Sequence, residues 1–309
     1  MKRLSPTLAS AGLLAITTLA GCSDDPRLPD GERFSESVVG MPGVVLIDNM
    51  EDGTQYLLSD DGRVGLWYIY NDASLGSTQL PAVGFPMYRV LRDDGTPEPS
   101  AAVAPRPCGG TPETPFFAGE STDECAFVAR TWGAGQRGWG AGIGLDLNGE
   151  GGAKNPFDAS AYGGIGFFAR GDVRDNALRV NVQDARTTPE SSEAADRRGI
   201  TRCESFRADG SPTGRCNDHF GQIVTISNDA WQWYEIPFRC MASGNWGFPG
   251  TAEKLLASAV VGIQFQIAGA DPADTGTVPA GVAVRNFDFS IDNIAFLEKT
   301  RIAPEDECP

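Results

Sequence analysis

Two short runs carry the side chains best suited to directional hydrogen bonding: Arg179, Asn181 and Gln183 in one, Gln264 and Gln266 in the other. Each set recurs at every second residue, so on an extended strand it lines one face. The residues between them, Leu178, Val180 and Val182 in the first run and Val261, Ile263, Phe265 and Ile267 around the second, are apolar. If the two strands are neighbours, their outward faces join into a patch of amides and one guanidinium. Such a patch can donate to and accept from a hydroxyl-rich ligand, and it equally fits a solvated surface turned away from an apolar core. Tyr70, Trp139 and Trp246 are the aromatic candidates to lie against a ligand's weakly polar face. Trp231 and Phe265 read as core.

The chemistry available is narrow. His219 is the only histidine, which excludes a multi-histidine metal site and forces any Ser-His-Asp arrangement to use it. No G-x-S-x-G elbow accompanies it. A rim contact to a ligand, or a hydrogen bond within its own loop, are the two readings for His219. Glycoside hydrolysis needs only a pair of flanking carboxylates, but no compact acidic strand motif places one. A hydrolase, or a lyase using Arg179 or Tyr70 with His219, therefore ranks below a non-catalytic role.

The elements that must position these residues are strands. Runs at 44–47, 65–70, 127–132, 141–147, 165–169, 177–182, 222–226, 234–238, 260–267, 282–284 and 287–297 are bounded by Gly, Asp, Asn or Pro. One apolar and one polar face per strand is what an antiparallel sandwich requires. Only 252–259 has a helical look. Two polar stretches, 92–124 and 187–217, read as loop insertions. With 38 glycines, 21 prolines and 41% hydrophobic residues the chain suits a loop-rich all-β globule.

The N-terminus points to export. Lys2 and Arg3 precede an uncharged run, 8–20, that is too short to span a bilayer stably, and the run ends in Leu19-Ala20-Gly21-Cys22. That ending resembles the bacterial lipobox, which implies a signal peptide over 1–21, lipidation of Cys22 and display at the outer membrane or cell surface. A polar tether (22–43), one sandwich domain (44–300) and a C-terminal tail (301–309) follow. Lipidation of Cys22 leaves Cys108, Cys125, Cys203, Cys216, Cys240 and Cys308, an even set suited to an oxidising compartment. The local pairing Cys108–Cys125, Cys203–Cys216 and Cys240–Cys308 is preferred. The first two would staple the insertions, each contributing about 3 kcal/mol. A formal charge of -16 from 41 acidic and 25 basic residues excludes nucleic acid and confines any membrane contact to the lipid. A monomer is expected.

Several segments together resemble the galactose-binding-domain-like jelly rolls, most of all carbohydrate-binding modules of the family 11 type. They are 47–53 (Ile-Asp-Asn-Met-Glu-Asp-Gly), 139–144 (Trp-Gly-Ala-Gly-Ile-Gly), 161–171, Trp231 with 234–238, Trp246-Gly, 263–266 and 287–296. Ser290, where an aromatic is common, and the two long loops depart from the pattern. The resemblance implies a polysaccharide or oligosaccharide bound on a concave sheet, by Tyr70, Arg179, Asn181, Gln183, His219, Trp246, Gln264 and Gln266. It also implies a structural calcium at Glu51 and Asp292, with Asp48 as a further ligand; oxygen ligands of this kind suit that ion. The alternative is a structural or protein-partner module, an envelope scaffold or adhesin on the same sandwich.

Overall fold

Period-two alternation sorts nearly every strand of this chain to one side or the other of a single apolar core. The computed structural model describes residues 38, 40–50, 55–58, 62–80, 117–120, 126–149, 154–173, 177–189, 199–205, 213–228, 231–248, 253–269, 286–302 and 308. Their strands are β1 (Val44–Asp48), β2 (Leu66–Asn71), β3 (Thr78–Leu80), β4 (Phe117–Glu120), β5 (Ala126–Ala134) and β6 (Ala141–Asp146). The others are β7 (Tyr162–Asp172), β8 (Ala177–Asp184), β9 (Phe220–Thr225), β10 (Gln232–Pro237), β11 (Val260–Ile267) and β12 (Asn286–Glu298).

They form two antiparallel sheets. A seven-stranded sheet follows the order β10-β7-β12-β5-β3, with β1 also on β12 and β4 also on β5. A five-stranded sheet follows β2-β6-β11-β8-β9. The expected all-β sandwich is therefore present. β12 is its spine: Asn286–Ile291 pair with β5, whereas Ile294–Leu297 pair with β1. A break in register between Asp292 and Ala295 separates the two pairings.

Between the sheets, Phe167, Phe289 and Ile291 from one meet Trp67, Ile143, Val180, Val182 and Phe265 from the other, all buried. Phe167 meets Phe265 edge-on at 5.0 Å, and Trp67 stacks on Phe265 at 6.3 Å. Burial of each such side chain contributes about 1.5–3 kcal/mol. Tyr234 turns inward and stacks on Phe167, which sends its neighbour Trp233 outward across Gly166. Trp231 is buried under the Arg170 guanidinium, outside the main core.

Four expectations need correction. Residues 253–259, the described part of the stretch expected to be helical, form no α-helix. They run without helix to a single 3-10 turn at Ala257–Ala259, and Asp184 holds them against the sheet by accepting the Leu256 N–H. Val261 does not join Ile263 and Phe265. A bulge between Val260 and Gly262 shifts the register, so Val260 enters the main core and Val261 packs in a small cluster with Ala185 and Ala259. The strands β3 and β4 were not foreseen, and β4 lies within the stretch read as an insertion. Finally, the tether and tail are tied down at their inner ends. Arg301 donates to the Pro42 carbonyl and pairs with Glu235, while Val38 is buried.

Two of the three expected disulfides are present, Cys203–Cys216 and Cys240–Cys308. The first staples the second insertion. Cys22, Glu51, Cys108, Cys125 and the run 282–284 lie outside the described residues.

Candidate functional site

The outward face of the five-stranded sheet is built in rows that cross the strands. One row runs Tyr70, Gly142, Gln266, Arg179, Ile223 from β2 to β9. The next runs Tyr68, Gly144, Gln264, Asn181, Gly221. β6 supplies only glycines here, and their purpose is steric. A Cβ at Gly142 would lie 2.7 Å from the Tyr70 hydroxyl, and one at Gly144 would lie 2.8 Å from Tyr68. The two tyrosines of β2 thus lie down across β6. Trp139, just before β6, stacks on Tyr70 at 5.8 Å and 21°.

The polar side chains form two relays with consistent donor direction. In the first, Arg179 Nε donates to Asn181 Oδ1 at 2.8 Å and Asn181 Nδ2 to Gln266 Oε1 at 3.0 Å. Gln266 Nε2 then donates to the Trp139 carbonyl at 2.8 Å. In the second, Gln264 Nε2 donates to the Tyr68 hydroxyl at 3.0 Å, which donates to Gln183 Oε1 at 3.2 Å. Gln183 Nε2 lies 3.0 Å from His219 Nε2, and His219 Nδ1 lies 2.8 Å from the Thr187 hydroxyl. An amide nitrogen can only donate, so His219 Nε2 accepts and Nδ1 carries the proton. Thr187 passes the sequence on by donating to the Asp184 carbonyl.

These rows are not a solvated surface. Asn181 and Gln183 are only 3% and 2% exposed, and buried polar groups require the partners they have found. His219 sits within the network, buried, with both ring nitrogens engaged. Burial, with Lys154 and Arg179 nearby, lowers its pKa to about 3, so the imidazole is neutral. Tyr70 is pushed well above the usual phenol value, by burial first and Tyr68 second. Its hydroxyl is buried and has no hydrogen-bond partner among the described residues.

Two exposed indoles flank the face, each on a loop cinched by one carboxylate. Trp139 is 52% exposed and Trp246 59%. Asp72 accepts the N–H groups of Gly138 at 2.7 Å and Gly140 at 3.0 Å, on either side of Trp139. Asp218 accepts those of Gly244 at 2.6 Å, Trp246 at 3.0 Å and Gly247 at 2.8 Å. Charge-assisted bonds of this kind contribute about 1.5–3 kcal/mol each. They hold large apolar rings in water, where a flexible loop would fold them away.

The structure thus gathers Tyr70, Arg179, Asn181, Gln183, Gln264, Gln266 and His219 on or within one face, with Trp246 beside it. Sequence reasoning missed Tyr68, Thr187, Lys154 and the two loop-holding aspartates. Tyr68 was within reach, since it shares the face of Tyr70 two residues on. Lys154 lies 4.5 Å over the Tyr68 ring and 3.1 Å from Asp146.

Asp48 and Asp292, two of the three residues expected at a calcium ion, lie on the opposite, seven-stranded layer. Asp48 is buried, accepting the Trp67 indole N–H at 2.7 Å and the Met50 N–H at 3.2 Å. Asp292 accepts the Asn293 N–H at 2.6 Å. Asn293 adopts a left-handed φ of 47° at the β12 break, and its Oδ1 is buried without a partner. A stranded oxygen beside a buried carboxylate fits a hard cation. Among the described residues no three His, Cys, Asp or Glu side chains cluster as a metal site.

Fold and face together define a two-sheet β-sandwich with an aromatic-flanked, amide-lined surface. No family model matches the sequence, and no curated protein matches it. Among solved structures, the chain is similar to the family 11 carbohydrate-binding module of the cellulosomal cellulase Lic26A-Cel5E of Clostridium thermocellum. The TM-score is 0.40 at 12% identity, covering 83% of this chain and 95% of that one. It is also similar to the family 30 carbohydrate-binding module of the cellulosomal cellulase Cel9D-Cel44B of the same organism, with TM-score 0.32, 17% identity, and coverage of 62% and 85%.

Proposed function

We propose that this protein is a non-catalytic carbohydrate-binding lipoprotein, exported and anchored through Cys22, that takes a glycan on the outward face of its five-stranded sheet. The observation that carries this reading is the pairing of two rigidly held, exposed indoles with a fixed array of amides between strands. Sugars offer apolar C–H faces and directional hydroxyls, which call for rings and amides respectively. Five strands at about 4.8 Å spacing give a track of about 19 Å across the sheet, enough for several sugar units. Catalysis is disfavoured by the same geometry: His219 is neutral and fully engaged, and Tyr70 holds its proton.

Calcium, where bound, would be held by Asp292, the Asn293 amide oxygen and Glu51, with Asp48 alongside. It would cross-link the ends of the sandwich and leave the glycan face alone. Chelator should then lower the melting temperature without changing glycan affinity.

The direct test is affinity electrophoresis through gels containing soluble polysaccharides, followed by a glycan array. Retardation by at least one glycan is expected, together with its loss in Trp246→Ala. A protein that ignores every glycan but captures an envelope protein would replace this reading with a partner-binding one.

A further inference from the structure

Arg130, Arg186 and Arg301 each meet a carboxylate, that of Asp288, Asp184 and Glu235 respectively, at 2.6 Å. Arg179, the guanidinium of the proposed glycan face, does not. Its Nε is spent on Asn181, and its Nη2 reaches only two carbonyls, of His219 at 3.4 Å and Ala242 at 3.3 Å. Among the described residues its Nη1 makes no hydrogen bond and no carboxylate is in ion-pair contact with it. Asp218 is the acid whose field it feels most, but both Asp218 oxygens are occupied by the loop N–H groups that hold Trp246.

Arginine stays charged whatever its surroundings. Burial works against that charge here, lowering the Arg179 pKa. A half-buried cation with neutral acceptors alone is an uncompensated charge. The relay also fixes its direction, because the Arg179–Asn181–Gln266 chain ends on the Trp139 carbonyl, so Nη1 is the part left for a ligand.

We infer that the missing countercharge arrives with the ligand, and that the glycan carries uronic acid: a sugar carboxylate pairs with Arg179 over β8, between Trp139 and Trp246. The planar guanidinium end matches a carboxylate far better than a hydroxyl. The protein's charge of -16 does not oppose this at contact range, because exposed charges beyond about 8 Å are screened at physiological salt. The inference rests on the glycan-binding reading and adds the chemical class of the glycan.

The experiment compares each acidic polymer, alginate and polygalacturonate, with its own carboxyl-reduced derivative, by affinity electrophoresis and calorimetry on the purified protein. At least one acid form should bind tenfold or more tighter than its reduced form. Arg179→Gln should erase that difference, and Arg179→Lys should restore part of it. Thermal melting identifies any variant that fails to fold; in that case the wild-type preference for acid over reduced polymer decides alone. Equal binding of acid and reduced forms, or retention of neutral glucans alone, overturns the uronate inference and leaves glycan binding standing. Binding of no glycan at all overturns both.

Discussion

The two sheets turn opposite kinds of polar surface outward. On the seven-stranded sheet, Arg130 and Arg170 flank Ser290 in one row. Arg130 pairs with Asp288 and lies over Trp132 at 5.0 Å, and Arg170 covers Trp231 at 5.0 Å. Charges there meet charges or rings within the protein. On the five-stranded sheet the outward residues are mostly uncharged amides and phenols, aligned in chains whose donors all point one way. The first arrangement satisfies itself; the second ends in a guanidinium without a carboxylate and a phenol without a hydrogen bond among the described residues, and in two exposed indoles. A sandwich needs polar outer faces for solubility, and the ion-paired sheet shows how cheaply that is met. The amide face is the one that the proposed glycan reading uses.

Acid should break the amide face first. His219 has a pKa of about 3 in the folded chain against 6.5 when free. The unfolded chain then binds a proton between those values and the folded chain does not. Stability is complete above pH about 6.5 and falls below it, by about 1.4 kcal/mol per pH unit down to about pH 3. Urea titrations across that window should show the slope, and His219→Gln should remove this part of it. Next in size is Gly144→Ala. Its methyl group would meet Tyr68 at 2.8 Å and Gln264 at 3.0 Å, so lifting the relay should cost about 1–3 kcal/mol and weaken glycan retention together. Trp246→Ala should lower glycan affinity about tenfold or more, equivalent to about 1.4 kcal/mol, with the melting temperature unchanged. Trp132→Ala on the other sheet should leave affinity unchanged. Smallest is Arg130→Ala, whose part-exposed ion pair should change stability by about 0–1 kcal/mol and glycan binding not at all. If Arg130→Ala reduced retention as Trp246→Ala does, the contrast between the sheets would collapse.

Much of this contrast was legible in the order of residues. Alternation in β8 placed Arg179, Asn181 and Gln183 on the side opposite Leu178, Val180 and Val182, and β11 placed Gln264 and Gln266 likewise, because a strand's pleat leaves no other choice. The pairing of β8 with β11, which turns two rows into one face, is a contact across some 80 residues and has no local signature. Val261 was misplaced because a bulge is a single extra residue that inverts every facing before it. Short strands such as β3 carry too few residues to show a period. The loop-holding roles of Asp72 and Asp218 were invisible for a different reason: a carboxylate that binds backbone N–H groups selects for no particular partner side chain. His219 was recognised as unusual by its solitude, yet its burial came only with the fold.

The join at Arg301 has a geometrical consequence for how the molecule would stand on a surface. Because Pro42 is held to Arg301 and β1 lies along β12, the described chain begins on the layer that carries the ion pairs. Under the proposed anchoring through Cys22, the amide layer would be the side remote from the attachment point, open to a ligand arriving from solution.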